Sequence, residues 1–240
     1  MIHSWIKSAP ICSKGLFDNN SIIENTLPAI QKAVDCGYNL IINLSLTKDN
    51  RLVVCDSKKS YILLSCHKRI ETISSDDKEN LQLLGTTNCV PLLNDVLNLV
   101  NGKVGIIFKI SASNKYKKII TELVKQLAFY KGKTAVVASS YQMYFFAKKI
   151  SKNLLCGIIL HKKSSKLIYN AILFANINFF KLLKPSFIIC DIANLPNKYL
   201  DDYLLYNPYS FIIGRTVYDK SSYLTALNYA DGFVFENYTI

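Results

Sequence analysis

Short β-branched runs alternate with longer helical patterns along most of this chain, and that alternation limits its fold more than any other feature. Extended segments are read at Leu40–Leu46, Leu52–Cys55, Val104–Ile110, Thr134–Ala138, Leu155–Leu160, Phe187–Asp191, Phe211–Gly214 and Gly232–Phe235. Several are apolar on both faces, as parallel strands covered by helices must be. Between them, Asn25 or Thr26 can cap a helix that has Pro28 in its first turn and Gly37 just past its end. Lys115–Tyr130 sets Ile119, Ile120, Leu123, Val124 and Leu127 on one face and lysines on the other, the pattern of a helix lying on a sheet. No Pro/Gly/Ser-rich linker divides the chain, so residues 1–240 read as one α/β domain. Eight βα units over 240 residues leave about 30 residues each, which matches a (β/α)8 TIM barrel of about 250 residues. A doubly wound sheet shares the alternation, but no G-x-G-x-x-G turn follows the early strands. Residues 57–89 are the least regular; they predict a connection over the barrel mouth, with a short capped helix at Thr72–Glu79.

Half the residues are apolar, enough for a sizeable core and against disorder. The formal net charge of +12 favours anionic partners without choosing among phosphate esters, membrane surfaces and nucleic acid. Nucleic acid fits least well, because no recognised binding module accompanies the charge. The seven cysteines are scattered and lack a C-x-x-C pair, so reduced thiols in a cytoplasmic protein are expected rather than disulfides or zinc. The first fifteen residues lack the apolar stretch of a secretory signal. Leu167–Phe180 has fourteen residues, three of them asparagines, too few for the roughly 20 needed to cross a bilayer; it reads as a buried or interfacial helix.

Motifs sharpen the reading. Glu24-Asn25-Thr26-Leu27-Pro28, then Gly37, then Leu46-Thr47-Lys48-Asp49-Asn50-Arg51-Leu52-Val53-Val54 resemble, in order and spacing, the N-terminal signature of the glycerophosphodiester phosphodiesterase family. Val90-Pro91-Leu92-Leu93-Asn94-Asp95-Val96-Leu97 resembles that family's I-P-T-L-E-E-V-L, and Ser139-Ser140-Tyr141 its S-S-F. Thr216-Val217-Tyr218-Asp219 and Asp231-Gly232-Phe233-Val234-Phe235-Glu236-Asn237-Tyr238 resemble its closing T-V-N-D and D-G-I-I-T-D-Y-P. The resemblance spans nearly the whole chain. It implies a TIM barrel of the phospholipase-C-like phosphodiesterase superfamily, one that acts in lipid metabolism and hydrolyses glycerophosphodiesters with calcium or magnesium and two histidines.

The matching positions do not carry that machinery. Ser13-Lys14-Gly15 stands where the family has H-R-G, and Cys55-Asp56-Ser57 where it has M-H-D. The metal carboxylates of E-x-D are replaced by Ile41 and Asn43, and that of E-I-K by Ile107. A hard cation needs several oxygen ligands, usually anionic, so the resemblance implies no metal and no cofactor at this position. Ser13 cannot replace an imidazole near neutral pH; Asp56 can serve as a general base, and His161 can supply an acid if its loop reaches the mouth. What remains is largely cationic: Lys14, Lys109 and Arg215, with Glu24, at places the resemblance puts near the C-terminal strand ends. Removing three acidic ligands while retaining or adding three bases predicts a basic pocket able to hold phosphate directly.

Each assignment has a plainer alternative. Glu24 can simply pair with Lys14; Lys109 can neutralise a neighbouring carboxylate; Arg215 can stack or salt-bridge; His3, His67 and His161 can be solvated surface residues. Lys115–Lys118 and His161–Lys166 are basic runs that can dock on anionic lipid, or reflect a chain rich in lysine throughout. Two function classes stay open. One is a pseudoenzyme that binds a phosphorylated small molecule or a protein partner; the other is a divergent, metal-independent phosphodiesterase acting on glycerophosphodiesters or related phospholipid-derived substrates. Peripheral attachment to an anionic membrane is a third expectation.

Overall fold

A strand that is aliphatic on both faces has none to offer water, so such strands come to rest between two apolar layers. The computed structural model, which describes residues 5–18, 21–110, 114–160 and 180–237, shows nine of them: β1 (Ile11–Ser13), β2 (Asn39–Leu46), β3 (Leu52–Val54), β4 (Ile106–Ile110), β5 (Thr134–Ala138), β6 (Leu155–Ile159), β7 (Phe187–Asp191), β8 (Phe211–Val217) and β9 (Gly232–Phe235). Eight run parallel in the ring β1-β2-β4-β5-β6-β7-β8-β9, closed by pairing of β9 with β1. The ring is a closed (β/α)8-type barrel.

Two corrections to the sequence reading follow. Leu52–Cys55 is no barrel stave: β3 pairs antiparallel with the outer end of β2, Leu44 opposite Val54 and Leu46 opposite Leu52. The missing stave is β1, three residues long and invisible to a periodicity argument. Thr72–Glu79 also forms no capped helix. A single 3-10 turn at Ile70–Thr72 is followed by turns, because Ile70, Ile73, Leu81 and Leu83 point into a small separate core with Val53 and Cys55, and that spacing is not helical.

The described helices are α1 (Trp5–Ser8), α2 (Leu27–Asp35), α3 (Ser60–Leu63), α4 (Leu93–Val100), α5 (Tyr116–Leu127), α6 (Tyr141–Ile150), α7 (Lys198–Tyr206) and α8 (Lys220–Tyr229). Their ends are chemically specified. The Thr26 hydroxyl accepts from the Ala29 N–H, with Pro28 in the first turn of α2. Ser140 caps α6, and Asp219 forms a capping box with Ser222 at α8. Thus the resemblance motifs at 139–141 and 216–219 are strand-to-helix junctions. The outer core joins strand residues such as Ile42, Phe108 and Ile188 to helix residues such as Ile30, Val96 and Ile120. The inner core fills the barrel with Ile11, Ile41, Ile107, Val137, Ile189 and Ile213.

The N-terminal end of the barrel is plugged by α1. The Asn39 amide donates to the Trp5 carbonyl at 2.9 Å and accepts from the Gly105 N–H at 2.8 Å. A Cβ on residue 105 would lie 2.1 Å from the Trp5 ring, so only glycine fits there. With that end sealed, a ligand reaches the barrel interior from the opposite mouth. Among the described residues, no helix is long and apolar enough to cross a membrane. The basic run His161–Lys166 and the apolar stretch from 167 lie outside the described residues, apart from Phe180, which is buried.

Candidate functional site

Along each inward-facing strand, the pleat replaces an aliphatic floor residue by a rim residue two positions later. Ile11 is followed by Ser13, Ile41 by Asn43, Ile107 by Lys109, Ile213 by Arg215 and Val234 by Glu236. The rim residues enclose a cavity of about 220 Å³ at the C-terminal mouth, the end where barrel sites form. Of the residues picked from sequence, Ser13, Lys14, Ile41, Asn43, Asp56, Lys109 and Arg215 line it. Ile107 lies below, fully buried in the inner core. His161 and His3 lie outside the described residues, and His67 is exposed with its Nδ1 3.1 Å from the Tyr61 carbonyl oxygen.

Glu24 takes the plainer of its two readings. Lys14 adopts a left-handed backbone (φ 65°), held by its N–H donating to the Ile41 carbonyl and its carbonyl accepting from the Asn25 N–H. Gly15 follows at φ +84°, where a Cβ would meet the α2 backbone at 2.6 Å. This turn aims the Lys14 Nζ between Glu24 Oε2 at 2.9 Å and Glu236 Oε1 at 2.7 Å. Burial works to lower the Lys14 pKa, but the hydrogen bonds from Glu236 and Glu24 outweigh it and raise the ammonium above its usual range. Lys59 adds a longer contact to Glu24 Oε1 at 3.5 Å. Lys14 is therefore spent on two carboxylates.

Lys109 differs. Among the described residues its amine makes neither hydrogen bond nor ion pair, and its pKa is lowered, first by burial and then by the positive charge of Arg215. Asp56 and Glu236 oppose that shift. Arg215 sits where β8 changes register, between Arg215 and Val217, an irregularity that re-aims side chains at a strand end. The mouth is thus not uniformly basic, as the motif substitutions predicted. Glu236 and Glu24 neutralise the Lys14 side, whereas no carboxylate among the described residues lies within ion-pair distance of Lys109.

Lys59 and Glu236 were not among the residues picked from sequence. Glu236 had a signal, since it occupies the aspartate position of the closing D-G-I-I-T-D-Y-P resemblance. Lys59 had none; it comes from the irregular segment after β3.

A divalent cation does not fit this donor set. At the three ligand positions only the Asn43 amide offers oxygen, and the nearby Glu24 and Glu236 are engaged with Lys14. Among the described residues, no cluster of His, Cys, Asp or Glu is arranged to hold a metal. A second cavity of about 340 Å³, lined by Asp191, Thr216, Asp219 and Ser222, adjoins the first through Thr216.

No protein-family model matches the chain, and no curated protein matches it in sequence. Solved structures do match its shape. A phosphodiesterase from Oleispira antarctica, in complex with its product sn-glycerol-3-phosphate, superposes with a TM-score of 0.78 at 16% identity, over 99% of this chain and 95% of that one. A putative glycerophosphodiester phosphodiesterase from Galdieria sulphuraria gives 0.78 at 10% identity over 96% and 94%. The Thermotoga maritima enzyme gives 0.73 at 17% identity over 95% and 94%. The fold is that of the glycerophosphodiester phosphodiesterases. A shared barrel does not fix the chemistry of its mouth, where this chain places Asn43, Lys109 and Arg215 above Ile41.

Proposed function

We propose that this chain is a glycerophosphodiester phosphodiesterase-family protein that binds the phosphate group of a small phosphorylated ligand and lacks metal-dependent hydrolysis. The observation that carries this reading is that Lys109 and Arg215 line one mouth from opposite staves of the barrel, above an aliphatic floor at Ile41, where the family's motif calls for metal carboxylates. Two basic side chains facing each other across a concave, partly desolvated mouth suit the oxygens of a phosphate group. Lys59 borders the same cavity and can turn to it. A volume of about 220 Å³ suits a small phosphorylated molecule better than a protein segment or membrane surface. The free cysteines, with the Cys55 and Cys190 thiols pushed up to about 12 by burial, support a reducing cytoplasmic setting.

Calorimetric titration with sn-glycerol-3-phosphate and inorganic phosphate tests the reading. Saturable binding is expected, weakened about tenfold or more in Arg215→Ala, since a hydrogen bond to a charged group contributes about 1.5–3 kcal/mol. Glycerophosphocholine should stay intact with calcium or magnesium present; hydrolysis restored by either ion would sink the proposal.

Asp56 favours one second reading. It lines the same cavity as Lys109 and Arg215, so a general base shares the mouth with two cations able to stabilise developing phosphoryl charge. A metal-independent phosphodiesterase of this kind would turn over glycerophosphodiesters or other phospholipid-derived diesters in EDTA and lose that turnover in Asp56→Asn. Absence of turnover across such a panel removes it.

A further inference from the structure

We propose that Lys109 is a carbonyl-reactive amine and that the cavity takes a phosphorylated aldehyde or ketone, with the phosphate on Arg215 and the carbonyl carbon at the Lys109 Nζ. This deepens the phosphate-binding reading and rests on it.

Four observations converge on the amine. Lys109 lines an open cavity, yet among the described residues no hydrogen bond or ion pair occupies it. The other half-buried cation at the mouth, Lys14, is held by two carboxylates and has no free pair to offer. The cavity floor is aliphatic, with Ile41, Ile159 and Val234, and Arg215 stands on the same rim. Burial and that neighbouring positive charge both favour the neutral form of Lys109. A partly desolvated lysine above an aliphatic floor, facing a second cation across the mouth, is in an environment that turns an amine into a nucleophile.

The step balances without an added oxidant or reductant. The Lys109 nitrogen pair forms a C–N bond while the carbonyl π pair moves to oxygen. One proton passes from nitrogen to that oxygen, and Asp56 on the same rim can relay it, giving a carbinolamine. The nitrogen pair then expels the hydroxyl, which takes a proton relayed by Asp56 and leaves as water, and the iminium nitrogen gives its remaining proton back to that carboxylate, so the product is an imine.

Pyridoxal 5′-phosphate, which carries both groups, is the probe. The intact protein is treated with it, reduced with borohydride, digested and mapped by mass spectrometry. Lys109 is expected to be labelled several-fold faster than the exposed lysines. Excess inorganic phosphate should slow labelling at Lys109 alone, pyridoxal without phosphate should label it more slowly, and Lys109→Arg should lose that labelled peptide. Uniform labelling of surface lysines, or labelling of Lys109 indifferent to phosphate, overturns the inference. Phosphate binding in the unmodified protein is measured separately. Binding without selective labelling refutes the reactive amine and leaves the phosphate-binding reading standing, whereas no binding refutes that reading itself.

Discussion

The two half-buried lysines of the mouth carry opposite consequences for stability. Lys14 has its pKa raised in the fold by Glu236 and Glu24 against the lowering effect of burial. Its contribution is fully present below the unfolded value near 10.5 and is lost as pH rises through the higher folded value. Lys109 has its pKa lowered, so the folded state gains relative stability as pH rises through that lowered value towards the unfolded one. Urea titrations at several alkaline pH values should show Lys14→Met losing the high-pH decline and Lys109→Met losing the preceding rise. Near neutral pH, Lys14→Met should cost about 3 kcal/mol, because it leaves the nearly buried Glu24 carboxylate with only the longer contact from the exposed Lys59. Adding Glu24→Gln should recover a large part of that cost; equal stability of the single and double variants would contradict the assignment.

Among elements, α1 is the one whose removal should be easiest to see. Trp5 is the chain's single tryptophan, is buried, and rests against Gly105 with no space for another carbon. Gly105→Ala should cost about 1–3 kcal/mol by overpacking and shift Trp5 fluorescence to the red, read in the same urea titration. What the sequence revealed also divides by element. β5, β7 and β9 were legible to the residue because an apolar run bounded by polar turns has one solution in an α/β chain. β3 looked like a stave because a hairpin strand packed on a satellite core is as apolar as a barrel strand. β1 was too short to show a period. Lys109 and Arg215 were legible as mouth residues through strand alternation combined with motif position. The engagement of Lys14 with Glu236 was not, since it depends on the closure of the ring.

For the whole molecule, the absence of a fitting donor set predicts indifference to divalent ions. The melting temperature should be the same in EDTA, calcium and magnesium, as scanning calorimetry reads directly. Restoring acids at the three positions, Ile41→Glu, Asn43→Asp and Ile107→Glu together, should lower the melting temperature by burying charge at a site that is now aliphatic. Calcium should then raise it by mass action. A wild-type melting temperature that rises with calcium would contradict the donor assignment. The same distribution of contacts bears on how the chain assembles. β1 lies between β2 and β9, and the Lys14 ammonium meets Glu236, 222 residues away. During synthesis the earliest strand therefore waits with one edge bare until almost every later residue has left the ribosome, and only then is the seam stitched. That long interval is when this protein most needs shielding by a chaperone.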